Sequence, residues 1–302
     1  MKRRLILLGL IAILTACQAS GAAIAPGKKN IVVTYAVLGA LVRELVGDRA
    51  NVIVPMPNGQ DPHEWEPSAK DIETIMKADL IVQNGLQLEA GLERTLARAQ
   101  DAGVKFFTAA DYVDVRKVGQ GEGIPGSDRD QMPGADDPHL WLDPLAMKQV
   151  VEALATQLKS DLNLDVSDRA KEVAARLEAL NAEITDRVAA VPEADRKLVT
   201  GHESLGYFAR RYGFQLIGAV VPSLTSQAEA SAADLAVLKQ VIVEYGVKAI
   251  FIELGTPQTI ARAIGQETGA QVIELATHVV PPDGSYFTFM RNLATTITDG
   301  LR

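Results

Sequence analysis

The sequence predicts an α/β protein of two lobes, each with a mainly parallel sheet flanked by helices, joined by one long backbone helix. Three observations carry this. Short β-branched runs alternate with longer helical stretches from Asn30 to Thr108, the pattern of parallel strands with helical crossovers. Residues 167–190 then run without Gly or Pro, a helix of about 36 Å at 1.5 Å per residue. The alternation restarts at Lys197. A chain of 302 residues is long enough for two domains.

Each element has a local reason. Residues 30–34 (NIVVT) form a buried strand, and 36–47 have helical spacing. Residues 51–55 form a second strand, stopped by Pro55 and Pro57. Ser68, with Asp71 three residues on, opens a helix over 68–78 as a capping pair. Residues 80–82 are a third strand, 86–100 a helix and 105–108 a fourth strand. Residues 117–137 are rich in Gly and Asp, have no apolar period and read as a mobile surface loop. Helix resumes over 144–162. Ser167 can cap the long helix, and Pro192 follows its end. In the second half, strands are expected near 197–200, 214–220, 248–252 and 271–275, and helices near 203–212, 228–245, 257–268 and 286–301. The division is then a signal peptide (1–16), a tether (17–29), an N-terminal lobe (30–166), a linking helix (167–191) and a C-terminal lobe (192–302).

Lys2, Arg3 and Arg4 precede an apolar run from Leu5 to Leu14. That run is too short to span a bilayer, which takes about 20 residues, and it matches the core of an export signal. It ends in Leu14-Thr15-Ala16-Cys17, which resembles the bacterial lipobox, with Cys17 lipidated as the mature N-terminus. Cleavage after the small residues 19–23 is the alternative. The protein is therefore expected to be exported, and either periplasmic or held to a membrane by lipid at Cys17. Lys plus Arg number 30 against 38 Asp plus Glu, a net charge of −8. Loss of residues 1–16 would take that to −11, since the segment carries three basic and no acidic side chains. Such a chain is a poor nucleic-acid binder and a natural attractor of cations. Cys17 is the only cysteine, which excludes intramolecular disulfides and multi-thiolate metal sites.

The four histidines are the main clue. Asp61-Pro62-His63-Glu64-Trp65 and Asp137-Pro138-His139-Leu140-Trp141 share the pattern D-P-H-x-W, and they contain the only two tryptophans. Proline stiffens each turn, and the tryptophan can wall a site against water. His202 follows a predicted strand, where ligands of open α/β sheets bind. The fourth ligand is open between Asp283, which precedes the last helix and could equally cap it, and Glu253, which ends a strand. His278 has no repeated motif around it and reads as structural.

These residues resemble the solute-binding proteins of bacterial zinc and manganese ABC importers. The matching stretches are DPHEWEPSAKDI (61–72), NGLQLEAGLERTL (84–96), DPHLWLDP (137–144), GHESLGYFARRYG (201–213) and DGSYFTFMRNL (283–293). The resemblance implies one transition-metal ion between the lobes, a long helix that limits lobe closure, and His63, His139, His202 and Asp283 as ligands. It also implies delivery to the membrane permease of an ABC transporter, with a metallochaperone as a further partner, and a monomeric protein. The histidine-rich loop common in zinc-specific members is replaced here by 117–137, which carries Glu122, Asp128, Asp130, Asp136 and Asp137 and no histidine.

Three imidazoles and one carboxylate suit tetrahedral Zn²⁺ first and Mn²⁺ second. A zinc-dependent hydrolase is the alternative in chemistry, since three histidines and an open position also build catalytic zinc. The chain has no H-E-x-x-H, G-x-S-x-G or P-loop sequence, and Asp283 would fill the position that a catalytic water needs. A surface adhesin lipoprotein is a third reading, and it leaves the repeated histidine motifs unexplained.

Overall fold

The computed structural model describes residues 25–120, 122 and 133–302. The export segment, Cys17 and the centre of the acidic loop, including Asp128 and Asp130, lie outside the described residues. Two four-stranded sheets are present. The first contains β1 (Asn30–Val33), β2 (Asn51–Ile53), β3 (Leu80–Gln83) and β4 (Lys105–Thr108), in the order β2-β1-β3-β4. The second contains β5 (Lys197–Thr200), β6 (Gln215–Ala219), β7 (Ala249–Ile252) and β8 (Gln271–Glu274), in the order β6-β5-β7-β8. Every strand pair is parallel. The two sheets therefore share one topology, and each reverses its direction of winding beside its first strand. Such switch points open a crevice at the carboxyl ends of the strands.

The helices are α1 (Ala36–Val46), α2 (Ala69–Met76), α3 (Glu93–Asp101), α4 (Pro144–Leu162), α5 (Ser167–Ala189), α6 (Gly206–Tyr212), α7 (Ala232–Tyr245), α8 (Gln258–Thr268) and α9 (Tyr286–Gly300). Ser68 and Asp71 cap α2 reciprocally, as the sequence predicts. Three local expectations change. The helix expected from residue 86 begins at Glu93, after a short 3-10 turn, because Gly85, Leu86 and Gln87 all take positive φ (87°, 57° and 61°). The buried Glu89 carboxylate closes that turn by accepting from the Asn84 and Gly85 amides and the Thr34 hydroxyl. The helix expected from residue 203 begins at Gly206, because the preceding residues form the turn that carries His202. Ser167 does not cap α5; it is the first helical residue, and its hydroxyl donates to Asp165 Oδ1 at 2.6 Å.

Helix α5 is more than a strut. It buries Ala170, Val173, Leu177, Leu180, Ile184 and Val188 and packs on α1, α4 and α9. The largest apolar core takes Leu38, Trp141 and Met147 from the first half, Leu177 from α5, and Phe208, Tyr286 and Phe289 from the second. Smaller cores lie between the first sheet and α2 with α3 (Val32, Ile75, Ile81, Leu96) and between the second sheet and α7 with α8 (Leu238, Ile250, Ile264). The carboxyl ends of β5 and β7 lead directly into Gly201-His202 and Glu253.

Candidate metal centre

His63, His139 and His202 converge in the buried space between the halves, each offering one ring nitrogen within 4.8 Å of the others. His63 Nε2 lies 3.4 Å from His139 Nε2, and His139 Nε2 lies 3.1 Å from His202 Nε2. Zn–N bonds of 2.0–2.1 Å at tetrahedral angles set their nitrogens about 3.3–3.4 Å apart. These two spacings are close to those of neighbouring donors around one small cation.

The repeated D-P-H turns have a common construction. Asp61 Oδ1 accepts the His63 amide at 2.9 Å, and Asp137 Oδ1 accepts the His139 amide at 3.0 Å. Asp137 Oδ1 also meets His139 Nδ1 at 2.8 Å. With its Nδ1 proton donated there, neutral His139 presents a bare Nε2. His202 is backed by Glu253, whose Oε1 lies 3.5 Å from His202 Nδ1 and whose Oε2 accepts the His202 amide at 3.3 Å. Glu253 also accepts the Ser204 and Thr256 hydroxyls. Position 201 must be glycine, since a Cβ there would come within 1.9 Å of Thr256 Oγ1 and 2.2 Å of Glu253 Oε2. Glu253, the rival fourth ligand, thus stands behind the ring that it orients. Of the other carboxylates near these motifs, Glu64 is exposed, and Asp143 caps α4 and binds Arg211 through both oxygens.

Among the described residues Asp283 is not part of the converging group. Asp283 is exposed and turned toward α9, where its Oδ1 accepts the Ser285 amide at 3.1 Å and its Oδ2 the Thr288 hydroxyl at 2.6 Å. Ser285 caps α9, its hydroxyl accepting the Phe287 and Thr288 amides, and Asp283 braces the turn just ahead of that cap. His278 lies beside the trio of His63, His139 and His202, although only those three histidines bring ligand atoms within 4.8 Å of one another among the described residues. It is 2% exposed, and its ring centroid is 6.4 Å from that of His63 and 6.2 Å from that of His202. Its Nδ1 pairs with Thr277 Oγ1 at 3.2 Å, while Nε2 is buried with no hydrogen-bond partner among the described residues. A buried, unpaired imidazole nitrogen is unfavourable unless something else takes its lone pair. Trp141 walls the site as expected, stacked obliquely near His139 and His278 at 5.3 and 5.5 Å, with its Nε1 donating to Thr277 O. Trp65 does not; it is half-buried and packs beside α2, α3 and the main core.

The zinc-uptake complex component A family (periplasmic) matches residues 31–300. The chain belongs to this family. The high-affinity zinc uptake system protein ZnuA of Bacillus subtilis is 30% identical over 254 residues, 83% of this chain and 78% of that protein. The manganese-binding lipoprotein MntA of Halalkalibacterium halodurans is 26% identical over 284 residues, 90% and 88% of the two chains. The solved structure of the periplasmic zinc-binding protein TroA of Treponema pallidum superposes with a TM-score of 0.77 at 25% identity, covering 91% of this chain and 99% of that one. The paired parallel sheets are thus the fold of the family. The family consists of binding components of metal uptake and is not an enzyme family.

For this member of the zinc-uptake family, burial sets the proton content of the site. Burial and the neighbouring rings push His63 and His139 well below the ordinary imidazole range. Burial likewise lowers His278 to about 4. Burial pushes His202 the same way, but the adjacent Glu253 outweighs it, and His202 ends above its usual value. Asp61 is pushed up by burial and pulled further down by His278 and His63, so it stays ionised below the usual carboxylate range. Burial raises Asp137 to about 6, even with the Arg116 guanidinium beside it.

Proposed function

We propose that this protein is an extracytoplasmic receptor that captures one Zn²⁺ ion with high affinity, takes Mn²⁺ second, and delivers its cargo to the membrane permease of an ABC importer. The ion is held by His63 and His139 from the first half and His202 and His278 from the second. The single observation that supports this most is the convergence of three buried rings, with His139 Nε2 3.4 Å from His63 Nε2 and 3.1 Å from His202 Nε2. Four imidazoles shift the preference further toward zinc than three with a carboxylate would, because nitrogen donors favour zinc over manganese. The relatives named for zinc and for manganese support the same pair of cargoes. Metal analysis of the purified protein, followed by competition between Zn²⁺ and Mn²⁺, tests this. Less than half an equivalent of bound Zn²⁺ at saturation would sink it.

On this reading residues 30–166 and 192–302 are the two lobes, and α5 restrains their closure. A fourth protein donor fills the position that a catalytic water would occupy, so the centre binds and does not hydrolyse. Peptidase and esterase activity above that of the metal-free protein would contradict this. The protein works as a monomer, and a metallochaperone is a further partner. Cys17 carries the lipid anchor. Cys17→Ser is expected to release the protein into the soluble extracytoplasmic fraction or leave it misprocessed. Mass spectrometry of native protein showing an unmodified N-terminus downstream of residue 17 would overturn that anchor.

Proton release gives a separate check. Burial drives His63, His139 and His278 toward the neutral form, whereas Glu253 favours the protonated form of His202, so His202 is the ligand with a proton to lose. Binding near neutral pH is expected to release at most about one proton per ion. Affinity should rise with pH by up to about tenfold per unit while His202 is protonated, and flatten once its raised value is passed. Calorimetry in buffers of different ionisation enthalpy reads this directly, and release of three protons would contradict it.

A further inference from the structure

We infer that Asn58 and Gln227 form a clasp across the cleft that sets how long a bound ion stays. The Asn58 side chain makes a reciprocal pair with the backbone of Val280: Nδ2 donates to Val280 O at 2.8 Å, and Oδ1 accepts from Val280 N at 2.8 Å. Asn58 lies on the loop that leads to His63, and Val280 follows His278 by two residues. A side-chain amide thus closes the kind of two-bond pair that two strands would make, between the loops that carry ligands from opposite halves. A second bridge runs the other way, with Gln227 Nε2, from the loop between β6 and α7, donating to the His63 carbonyl at 2.7 Å. These three bonds can form only when the two halves meet at the site.

Their position matters as well. A cavity of about 390 Å³ opens beside His63, bordered by Gln87, Asp136, Thr225 and Gln227. Gln227 therefore stands where an ion would pass between solvent and the ligands. A neutral amide clasp adds no charge to the site. It slows opening without altering the attraction that brings a cation in, so it acts on release and leaves capture alone. Both residues are positioning residues, since neither side chain is a ligand.

This inference rests on the metal-receptor reading, and the test separates the two. Zn²⁺ release is measured by stopped-flow capture with a chromogenic chelator, beside the association rate and the thermal midpoints of the metal-free and loaded proteins. A wild-type protein that binds no Zn²⁺ refutes the receptor reading itself. With wild type loaded, Asn58→Ala is expected to release Zn²⁺ at least about tenfold faster, with association within about twofold. The loaded midpoint should fall and the metal-free midpoint should hold. Asn58→Asp keeps acceptance from Val280 N but sets a second acceptor against Val280 O, so its release should be at least as fast as that of Asn58→Ala. Gln227→Ala should speed release independently, and the double variant should combine both effects. Unchanged release in folded Asn58→Ala and Gln227→Ala, or a loss confined to the metal-free midpoint, overturns the clasp.

Discussion

Replacing His278 with alanine is expected to weaken Zn²⁺ binding by at least about a hundredfold, or roughly 2.7 kcal/mol, while Asp283→Ala leaves binding within about threefold. The contrast follows from position. His278 holds a buried Nε2 with no partner among the described residues, beside the other three rings. Asp283 spends both carboxylate oxygens on the start of α9 in exposed surroundings. Asp283→Ala should instead loosen the turn ahead of α9, where Asp283 accepts the Ser285 amide and the Thr288 hydroxyl. Equilibrium competition against a chelator of known affinity, on both variants, decides the matter. Tight binding retained by His278→Ala and lost by Asp283→Ala would return the fourth position to the carboxylate.

The second large effect concerns a buried charge pair behind His139. The Arg116 guanidinium is almost wholly buried, with Nη1 3.1 Å from Asp137 Oδ2 and Nη2 on Glu122. Its backbone amide donates to the Tyr207 hydroxyl at 2.9 Å, across to the second half. Arg116→Met strands the Asp137 carboxylate in a site with no exposure. Breaking a buried pair in this way costs about 3–5 kcal/mol, which should lower the thermal midpoint of the metal-free protein by roughly 10 °C. Asp137 already sits at about 6 with the cation present, so its loss drives the carboxyl toward the neutral form and weakens its hold on His139 Nδ1. Zn²⁺ affinity should fall about tenfold or more, as loss of an outer partner of a ligand does. Differential scanning calorimetry with a change below about 1 kcal/mol would show that the pair is dispensable.

Much of this was legible from the chain. The eight strands lie within two residues of their expected bounds, because each is a short apolar run closed by Gly, Pro or a polar turn. His63 and His139 were legible because proline and a preceding aspartate recur around them, and the structure explains the aspartate as the acceptor of the histidine amide. His278 was not. Its significance lies in a nitrogen left without a partner by the packing of Trp141 and Thr277 around it, which no local pattern encodes. Asp283 was ambiguous for the converse reason: an aspartate ahead of a helix can serve a metal or the turn before that helix with the same atoms. Glu253 was visible as a strand-end carboxylate, but its place behind His202 depends on the β5–β7 pairing. The turn at Leu86 and Gln87 escaped because only Gly85 announces a left-handed backbone, and the residues after it follow through Glu89.

Helix α9 has a consequence for how the molecule comes into being. It follows α1 and α5 at long range in the chain, yet it lies against both, burying Tyr286, Phe289, Met290, Leu293 and Ile297 in the core common to both halves. Until that helix arrives, the apolar faces of α1 and α5 that it covers have no cover. A nascent chain cannot complete its interior before α9 has emerged. A truncated product lacking α9 would present those faces to proteases and to other chains, so incomplete copies mark themselves for removal.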